Sequence, residues 1–407
     1  MSFFEVYQSC SLFGALRYFA NIKDTISLIN GPLGCAFYAR NAVINLNGYF
    51  ESLTKVDIPK IFNLNFSETD VIFGNSDKVK NAINEIKEKY HPKAIFVFNC
   101  CVSEIVGSDI DEIAEGFSDV MVIPIHTAGF KGDHKYGMKL ASQIICDCLM
   151  PRIRIAPSGI SVNILGEFDF FNRSTQELTT KLHALGISNI RHIPGKATLK
   201  DIEEATSATL NIITCQNASK YMAEIMKNRY GIPFIGEKRS LYGIQNSYDF
   251  YKAIFSFFGA DVTTLEGEMR EAWASILQYK SIIKNKRVAI VAGTRRAIGY
   301  ASILKELGLE IVLLFSETEH HCNTEDDFRV YSNNLFIDSY IDNLELEIEK
   351  SKPDVIFTTL PEMVAPNSYL PRLSDDFAGF SGAVRMAEYL YQYFSDAVSP
   401  SPILIYE

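Results

Sequence analysis

Short apolar runs rich in β-branched residues recur along this chain, and helix-like stretches separate them. Thr25–Ile29, Ala94-Ile95-Phe96-Val97-Phe98 and Val120-Met121-Val122-Ile123-Pro124-Ile125 are runs of this kind, and Ser161–Gly166 and Leu210–Thr214 continue the series. Runs without polar alternation, bounded by glycine or proline, read as strands buried on both faces. Between them, Asp77–Tyr90 places apolar residues at 79, 82, 83 and 86, the spacing of an amphipathic helix. Strands alternating with helices build parallel sheets covered on both sides. The fold class expected is α/β.

At 407 residues the chain exceeds what one hydrophobic core supports. Met150-Pro151 and the stretch near 280 divide it into three Rossmann-like domains, 1–150, 151–280 and 281–407, each a parallel sheet flanked by helices. The last has the plainest pattern: Lys286–Gly293 as strand, a helix to Leu307-Gly308, then strands at Glu310–Phe315 and Asp354–Thr359. Val291-Ala292-Gly293-Thr294-Arg295-Arg296 lacks the G-x-G-x-x-G spacing, so nucleotide binding has no support there.

A formal net charge of −10 with no basic block argues against a nucleic-acid or membrane-surface partner. No apolar run reaches the length of a membrane span, and Met1-Ser2-Phe3-Phe4-Glu5 does not begin as a signal peptide, so a cytoplasmic protein is expected. In that compartment eight cysteines point to buried residues, metal ligands or reactive thiols instead of disulfides. Cys146 and Cys148, within an apolar helical stretch from Lys135 to Leu149, read as small buried hydrophobes.

Three cysteines stand elsewhere. In Asn30-Gly31-Pro32-Leu33-Gly34-Cys35 a turn follows the first strand and presents a thiol at its carboxyl end. Cys10 precedes it in Ser9-Cys10-Ser11-Leu12-Phe13-Gly14, and Cys101 follows the strand at 94–98. Ligands of open α/β sheets sit outside the carboxyl ends of the strands, so three such loops can bring three thiols to one soft-metal site. Soft thiolates select iron–sulfur clusters, and a common cluster takes about four of them, which leaves a ligand to a partner chain. Neighbours at a strand end point in opposite directions, so Cys100 and Cys101 do not both face one cluster. The spacing to Gly107-Ser108-Asp109-Ile110 selects Cys101 and leaves Cys100 to packing. Cys215 lies between the strand Leu210–Thr214 and a helix from Asn217 to Tyr230 that stops at Gly231-Ile232-Pro233. A helix amino terminus lowers a thiol's pKa and favours metal binding, although a lone strand-end cysteine also serves as packing. His320-His321-Cys322, in a polar segment, reads as a solvated loop, with cluster admission as the weaker alternative.

The stretches Gly31-Pro32-Leu33-Gly34-Cys35, Asp70-Val71-Ile72-Phe73-Gly74 and Cys101–Ile110 resemble the component 1 superfamily of nitrogenase. That superfamily comprises the molybdenum–iron protein subunits, their cofactor-assembly scaffolds and the related tetrapyrrole and thioether reductases. The resemblance covers nearly the whole chain. It implies three Rossmann-like domains, with clusters between domains and at the subunit interface. It also implies a 4Fe-4S cluster held at the subunit interface by Cys10, Cys35 and Cys101, and a homologous NifN/NifK-like partner in a heterotetramer. An ATP-dependent, NifH-like iron protein would be the reductase. Cys215, fifteen residues before the Tyr-Gly-Ile-Pro stretch, matches the cysteine that anchors the large cofactor cluster.

Two departures bear on the role. Where the catalytic subunits carry a second, histidine ligand, this chain has Ala378 in Phe377-Ala378-Gly379-Phe380-Ser381-Gly382. Where they carry a histidine over the cofactor, it has Met138, with His134 nearby. Thr127–Gly132 and the Ala-Gly-Phe-Ser-Gly stretch resemble NifE-type scaffold subunits more than catalytic ones. The implied role is to hold an iron–molybdenum cofactor precursor at Cys215 and release it; the alternative is a catalytic subunit of a nitrogenase or nitrogenase-like reductase. Lys131, Lys135 and Arg40 are homocitrate candidates by charge alone, with a solvated surface as the default.

Overall fold

The computed structural model describes residues 9–46, 59–168, 175–237, 240–316, 325–337, 344–358, 377–395 and 403–406. His320, His321 and Cys322 lie outside them. The chain divides into two compact units, one of Gln8–Asn172 with Asn189–Phe234, the other of Met1–Tyr7, Arg173–Ser188 and Ile235–Glu407.

The first unit carries two sheets. β1 (Thr25–Asn30), β2 (Ile61–Asn63), β3 (Ala94–Asn99) and β4 (Met121–His126) run parallel in the order β2-β1-β3-β4. β5 (Ser161–Glu167), β6 (Asn189–Pro194), β7 (Leu210–Ile213) and β8 (Phe234–Ile235) repeat that pattern as β6-β5-β7-β8. In both sheets the strand order reverses once, between β1 and β3 and between β5 and β7. A crevice opens at such a reversal outside the carboxyl ends of the strands. Every residue of β3 and of β5 is buried, β3 as its apolar run Ala94–Phe98 predicts, while β5 also buries Ser161, Asn163 and Glu167.

Helices α1 (Ser11–Phe19), α2 (Leu33–Leu46), α3 (Glu68–Phe73), α4 (Ser76–Tyr90), α5 (Cys101–Val106), α6 (Ile110–Glu115) and α7 (His134–Ile144) surround the first sheet. α8 (Gln176–Ala184), α9 (Leu199–Glu204) and α10 (Gln216–Tyr230) follow along the chain. α4 buries Val79, Ile83 and Ile86 against Ile26, Leu28, Ile95 and Val97 on one face of the first sheet. The other face, with Ile29, Phe96 and Phe98, shares one continuous core with α1, α7, α10 and the Leu165–Ile193–Ile213 face of the second sheet.

α1 and α7 touch backbone to backbone. A Cβ on Gly14 would lie 1.9 Å from the His134 carbonyl oxygen, and one on Gly137 would lie 2.0 Å from that of Ser11. No side chain fits in either place. This contact seats the start of α1 beside the chain entering α7, where Cys10 and Asp133 form an isolated antiparallel bridge.

The helix expected from Lys135 to Leu149 ends at Ile144, and a π-turn, Ile145–Leu149, completes it. Arg229 donates to the Cys146 carbonyl at 2.5 Å and so engages backbone within that turn. Cys146 is buried as expected. Cys148 is exposed, because residues two apart on a helix do not share a face and Cys146 takes the buried one.

In the other unit, β9 (Arg287–Val291), β10 (Glu310–Ser316), β11 (Leu335–Ile337), β12 (Val355–Thr358) and β13 (Ile403–Tyr406) form a parallel sheet ordered β11-β10-β9-β12-β13. Three parallel sheets flanked by helices match the expected fold class.

Candidate functional site

All four cysteines singled out from the sequence sit at the start of a helix at a sheet's carboxyl edge. Cys10 is the N-cap of α1, Cys101 the first residue of α5 and Cys215 the N-cap of α10. Cys35 differs in detail from expectation: α2 already begins at Leu33, so the thiol belongs to a first helical turn and not to the preceding loop. Proline at 32 fits just ahead of that helix, where a missing N–H costs nothing.

The three expected ligands of the first sheet come as parts of two thiol pairs. Cys10 and Cys101 meet across Gly129, where a Cβ would lie 3.0 Å from Cys10 Cβ and 3.4 Å from Cys101 Sγ. The Gly129 N–H donates to Cys101 Sγ at 3.0 Å. Cys35 pairs with Cys100 through a thiol–thiol hydrogen bond, which lowers the pKa of Cys35 and raises that of its partner. Cys100 is buried behind Gly31, where a Cβ would lie 2.5 Å from its sulfur. Packing was the role expected for Cys100; the contact with Cys35 is new, and only the fold reveals it. Burial raises the Cys10 thiol, and the Cys101 and Cys35 sulfurs add to that rise, so the three thiols share one electrostatic neighbourhood.

Among the described residues no three His, Cys, Asp or Glu side chains close around a single ion. A four-iron cluster spreads its thiolate ligands around a cube of iron and sulfide, so its ligands need not surround one point. The donor set is soft, and Gly31 and Gly129 keep the space beside the sulfurs free of side chains. These residues fit such a group better than a lone cation.

A buried polar network that the sequence did not signal fixes the loops. Asn30 donates to Asn99 Oδ1 (2.8 Å) and Ser108 Oγ (2.9 Å) and accepts from Asn75 (2.6 Å). Ser108 donates to Asn75 Oδ1 at 2.9 Å and closes the ring. Ser103 donates to the Asn30 carbonyl at 2.7 Å, and the Thr127 hydroxyl donates to the Asn99 carbonyl at 2.9 Å. Asn30 and Asn99 are the last residues of β1 and β3, directly paired across the switch point. The only advance signal is an asparagine ending each of two apolar strands.

Cys215 occupies the corresponding position in the second sheet, after β7. It is partly buried against the core that contains Tyr18, Met138 and Phe168. Its carbonyl accepts from the Ser219 N–H at 3.0 Å and hydroxyl at 2.5 Å, which fixes the helix start. Phe168 follows β5, meets the Tyr18 ring edge-on with centroids 4.9 Å apart, and carries the Arg17 guanidinium 4.6 Å above its own ring. Next to Cys215 in the chain, Gln216 begins α10. His134 and His192, from α7 and β6, each bury an unpartnered Nδ1. Burial holds both imidazoles at about 4, below their ordinary value. Unpartnered buried polar atoms carry a desolvation cost that a bound group could remove.

In the other unit Ala378 bridges Tyr242, and it offers no ligating atom. The helix Gly379–Ser395 begins beside it, and Glu177 accepts from Phe380 N (2.9 Å), Ser381 N (3.0 Å) and Ser381 Oγ (2.7 Å). Of the charge candidates for homocitrate, Lys131 is committed to Glu104 at 2.9 Å. Among the described residues no helix is long and apolar enough to cross a membrane.

The chain matches the family model for nitrogenase component 1 type oxidoreductases over residues 10–394, and it belongs to that family. It is similar to the nitrogenase iron-molybdenum cofactor biosynthesis protein NifE of several organisms. For that of Clostridium pasteurianum, identity is 29% over 341 residues, 79% of this chain and 70% of the relative. For Nostoc sp. it is 29% over 412 residues, 94% and 82%. For Sinorhizobium fredii it is 32% over 324 residues, 74% and 62%. The solved structure of nitrogenase Cp1 at pH 6.5 superposes with a TM-score of 0.77, covering 97% of this chain and 90% of that one at 20% identity. That likeness establishes the fold.

Proposed function

We propose that this chain is a scaffold subunit in the biosynthesis of the nitrogenase iron–molybdenum cofactor. Cys10, Cys35 and Cys101 hold an iron–sulfur cluster at the boundary with a homologous subunit, and Cys215 receives the cofactor precursor as cargo. The partner is a NifN/NifK-like chain in a heterotetramer, and an ATP-dependent, NifH-like iron protein supplies electrons. The cluster at the boundary supplies electron storage and transfer when bound.

The observation that carries this reading lies in the sequence: Cys215 supplies a thiol anchor, and alanine at 378 has no ligating side-chain atom. One anchor holds a cluster and lets it leave; two retain it. The names of the similar proteins support the assembly role. An interface role is supported by the apolar side chains on the elements around the thiols. Leu33, Phe37 and Tyr38 on α2, Ile72 and Phe73 on α3, Ile105 on α5 and Phe130 beside Gly129 are each more than half exposed. Apolar surface concentrated in this way marks a docking face. Within the chain, the Asn30–Asn99–Ser108 network orients the thiol loops, and the core behind Cys215 excludes water.

The test is transfer. The purified complex, loaded anaerobically, should pass cofactor to cofactor-free nitrogenase component 1 and restore its activity. Reductant- and ATP-dependent turnover by the complex itself, with no transfer, would favour a nitrogenase-like reductase instead.

A further inference from the structure

We infer that Glu104 is a positioning residue for the thiol site: it straps the turn after β4 to α5 and so keeps the Gly129 N–H aimed at the Cys101 sulfur. Where cluster chemistry is concerned the inference rests on the function proposed above; the strap itself does not.

Cys101 and Glu104 lie three residues apart on α5, about one helical turn, and therefore share a face. The Glu104 side chain is only 13% exposed, and each carboxylate oxygen has its own partner. Oε2 accepts from Lys131 Nζ at 2.9 Å, and Oε1 lies 2.5 Å from His126 Nδ1. His126 in turn reaches Asp111 through Nε2 at 2.8 Å. Burial acts to raise the Glu104 pKa, but Lys131 and His126 outweigh it and hold the carboxyl below its ordinary range. Lys131 is two residues from Gly129, whose N–H returns to Cys101 Sγ at 3.0 Å. The ring runs from Cys101 to Glu104, across to Lys131, along the turn to Gly129 and back to the sulfur.

The ends of this turn are held by other groups. Thr127 bonds the Asn99 carbonyl through its N–H at 3.0 Å, and Ser11 N–H donates to the Gly132 carbonyl at 3.0 Å. The middle is a 3-10 turn, Gly129–Lys131, with Lys131 N–H donating to the Ala128 carbonyl at 2.9 Å and Ser11 Oγ donating to that same carbonyl at 3.0 Å. Glu104 adds the side-chain tie to Lys131, while Phe130, between the two residues of the ring, is 63% exposed. A fully exposed ion pair contributes little, whereas a largely buried carboxylate with two partners resists displacement. Hydrogen bonds to the sulfurs are among the factors that set an iron–sulfur cluster's potential. Glu104 bonds neither sulfur nor iron, yet through this strap it sets the donor strength of Cys101.

Two measurements test the inference. In the cluster-free chain, hydrogen–deuterium exchange of the peptide containing Gly129 should run about tenfold faster in Glu104→Gln and in Lys131→Met than in wild type. The double variant should be no faster than either single one, because both cut the same strap. Unchanged exchange in both singles overturns the inference, and Lys131→Met serves if Glu104→Gln does not fold. In the co-expressed complex, a potentiometric titration should find the four-iron signal shifted to a more negative potential in both variants, with iron content unchanged. Asp111→Asn, which leaves both Glu104 partners in place, should not shift it. Loss of iron in the variants would make Glu104 a retention element and contradict the tuning role. If the wild-type complex itself lacks a four-iron signal, the proposed function fails, and the exchange data still decide the strap.

Discussion

The switch points of the two sheets in the first unit share a plan: strand order reverses, the next chain segment turns outward, and a helix starts with a cysteine. They differ in what surrounds the sulfur. At the first, Cys10, Cys35, Cys100 and Cys101 gather around two glycines, with exposed apolar side chains on neighbouring elements. At the second, a single thiol, Cys215, backs onto the core. The same topology thus supplies a thiol-rich, outward site and a thiol-poor one. On the function proposed above, the first would hold a group shared between chains and the second a cargo held by one bond. How many thiols the loops carry, more than the fold, separates the two chemistries.

The largest effect should come from removing a first-site thiol. Cys35→Ala or Cys101→Ala should abolish about four irons per heterodimer and weaken association with the partner, read by iron analysis and size-exclusion chromatography. Retention of all the iron in both variants would break the contrast between the sites. Gly14→Ala should follow, at about 3 kcal/mol or more, because a methyl 1.9 Å from the His134 carbonyl forces α1 away from α7. Chemical denaturation checks it, and Gly34→Ala, whose Cβ meets nothing within 4 Å, is the matched control.

Asn30→Ala should cost about 2–3 kcal/mol, since it leaves Asn75, Asn99 and Ser108 with unpaired buried groups at the first site only. The pH response should be common to both regions. Folded His134 and His192 protonate only near 4, against 6.5 for the free imidazole. The unfolded chain therefore takes up these protons first as the medium is acidified. Stability is full above the unfolded value and falls toward pH 4, by about 2 kcal/mol per imidazole near pH 5. Urea titrations across that range should show the loss, and His192→Phe should remove its share. Smallest is Phe73→Asp: at 81% exposure it should leave the isolated chain's stability within about 0.5 kcal/mol while reducing partner capture.

Much of the fold was legible because both-face burial leaves an unbroken apolar run, as in Ala94–Phe98, and because Gly231-Ile232-Pro233 punctuates a helix so plainly. The positions of Cys35, Cys101 and Cys215 were legible for the same reason, since each follows such a run, whereas Cys10 precedes the first strand. What could not be read was lateral. That Cys35 finds Cys100, that Cys101 receives the Gly129 N–H, and that Asn30 faces Asn99 all depend on which strands become neighbours, which one chain's local pattern does not encode. The early start of α2 was missed because Gly31, Pro32 and Gly34 look like a loop, although proline is well suited to the residue before a first helical turn. The π-turn at Ile145–Leu149 likewise has a partner distant in sequence, Arg229, on its Cys146 carbonyl.

The most direct measurement is iron quantitation with electron paramagnetic resonance on the anaerobically co-expressed complex, wild type beside Cys215→Ala. Two distinct sites require the variant to keep a four-iron signal and lose a larger cluster. Identical iron and identical spectra in both samples would make Cys215 a packing residue and contradict the scaffold assignment.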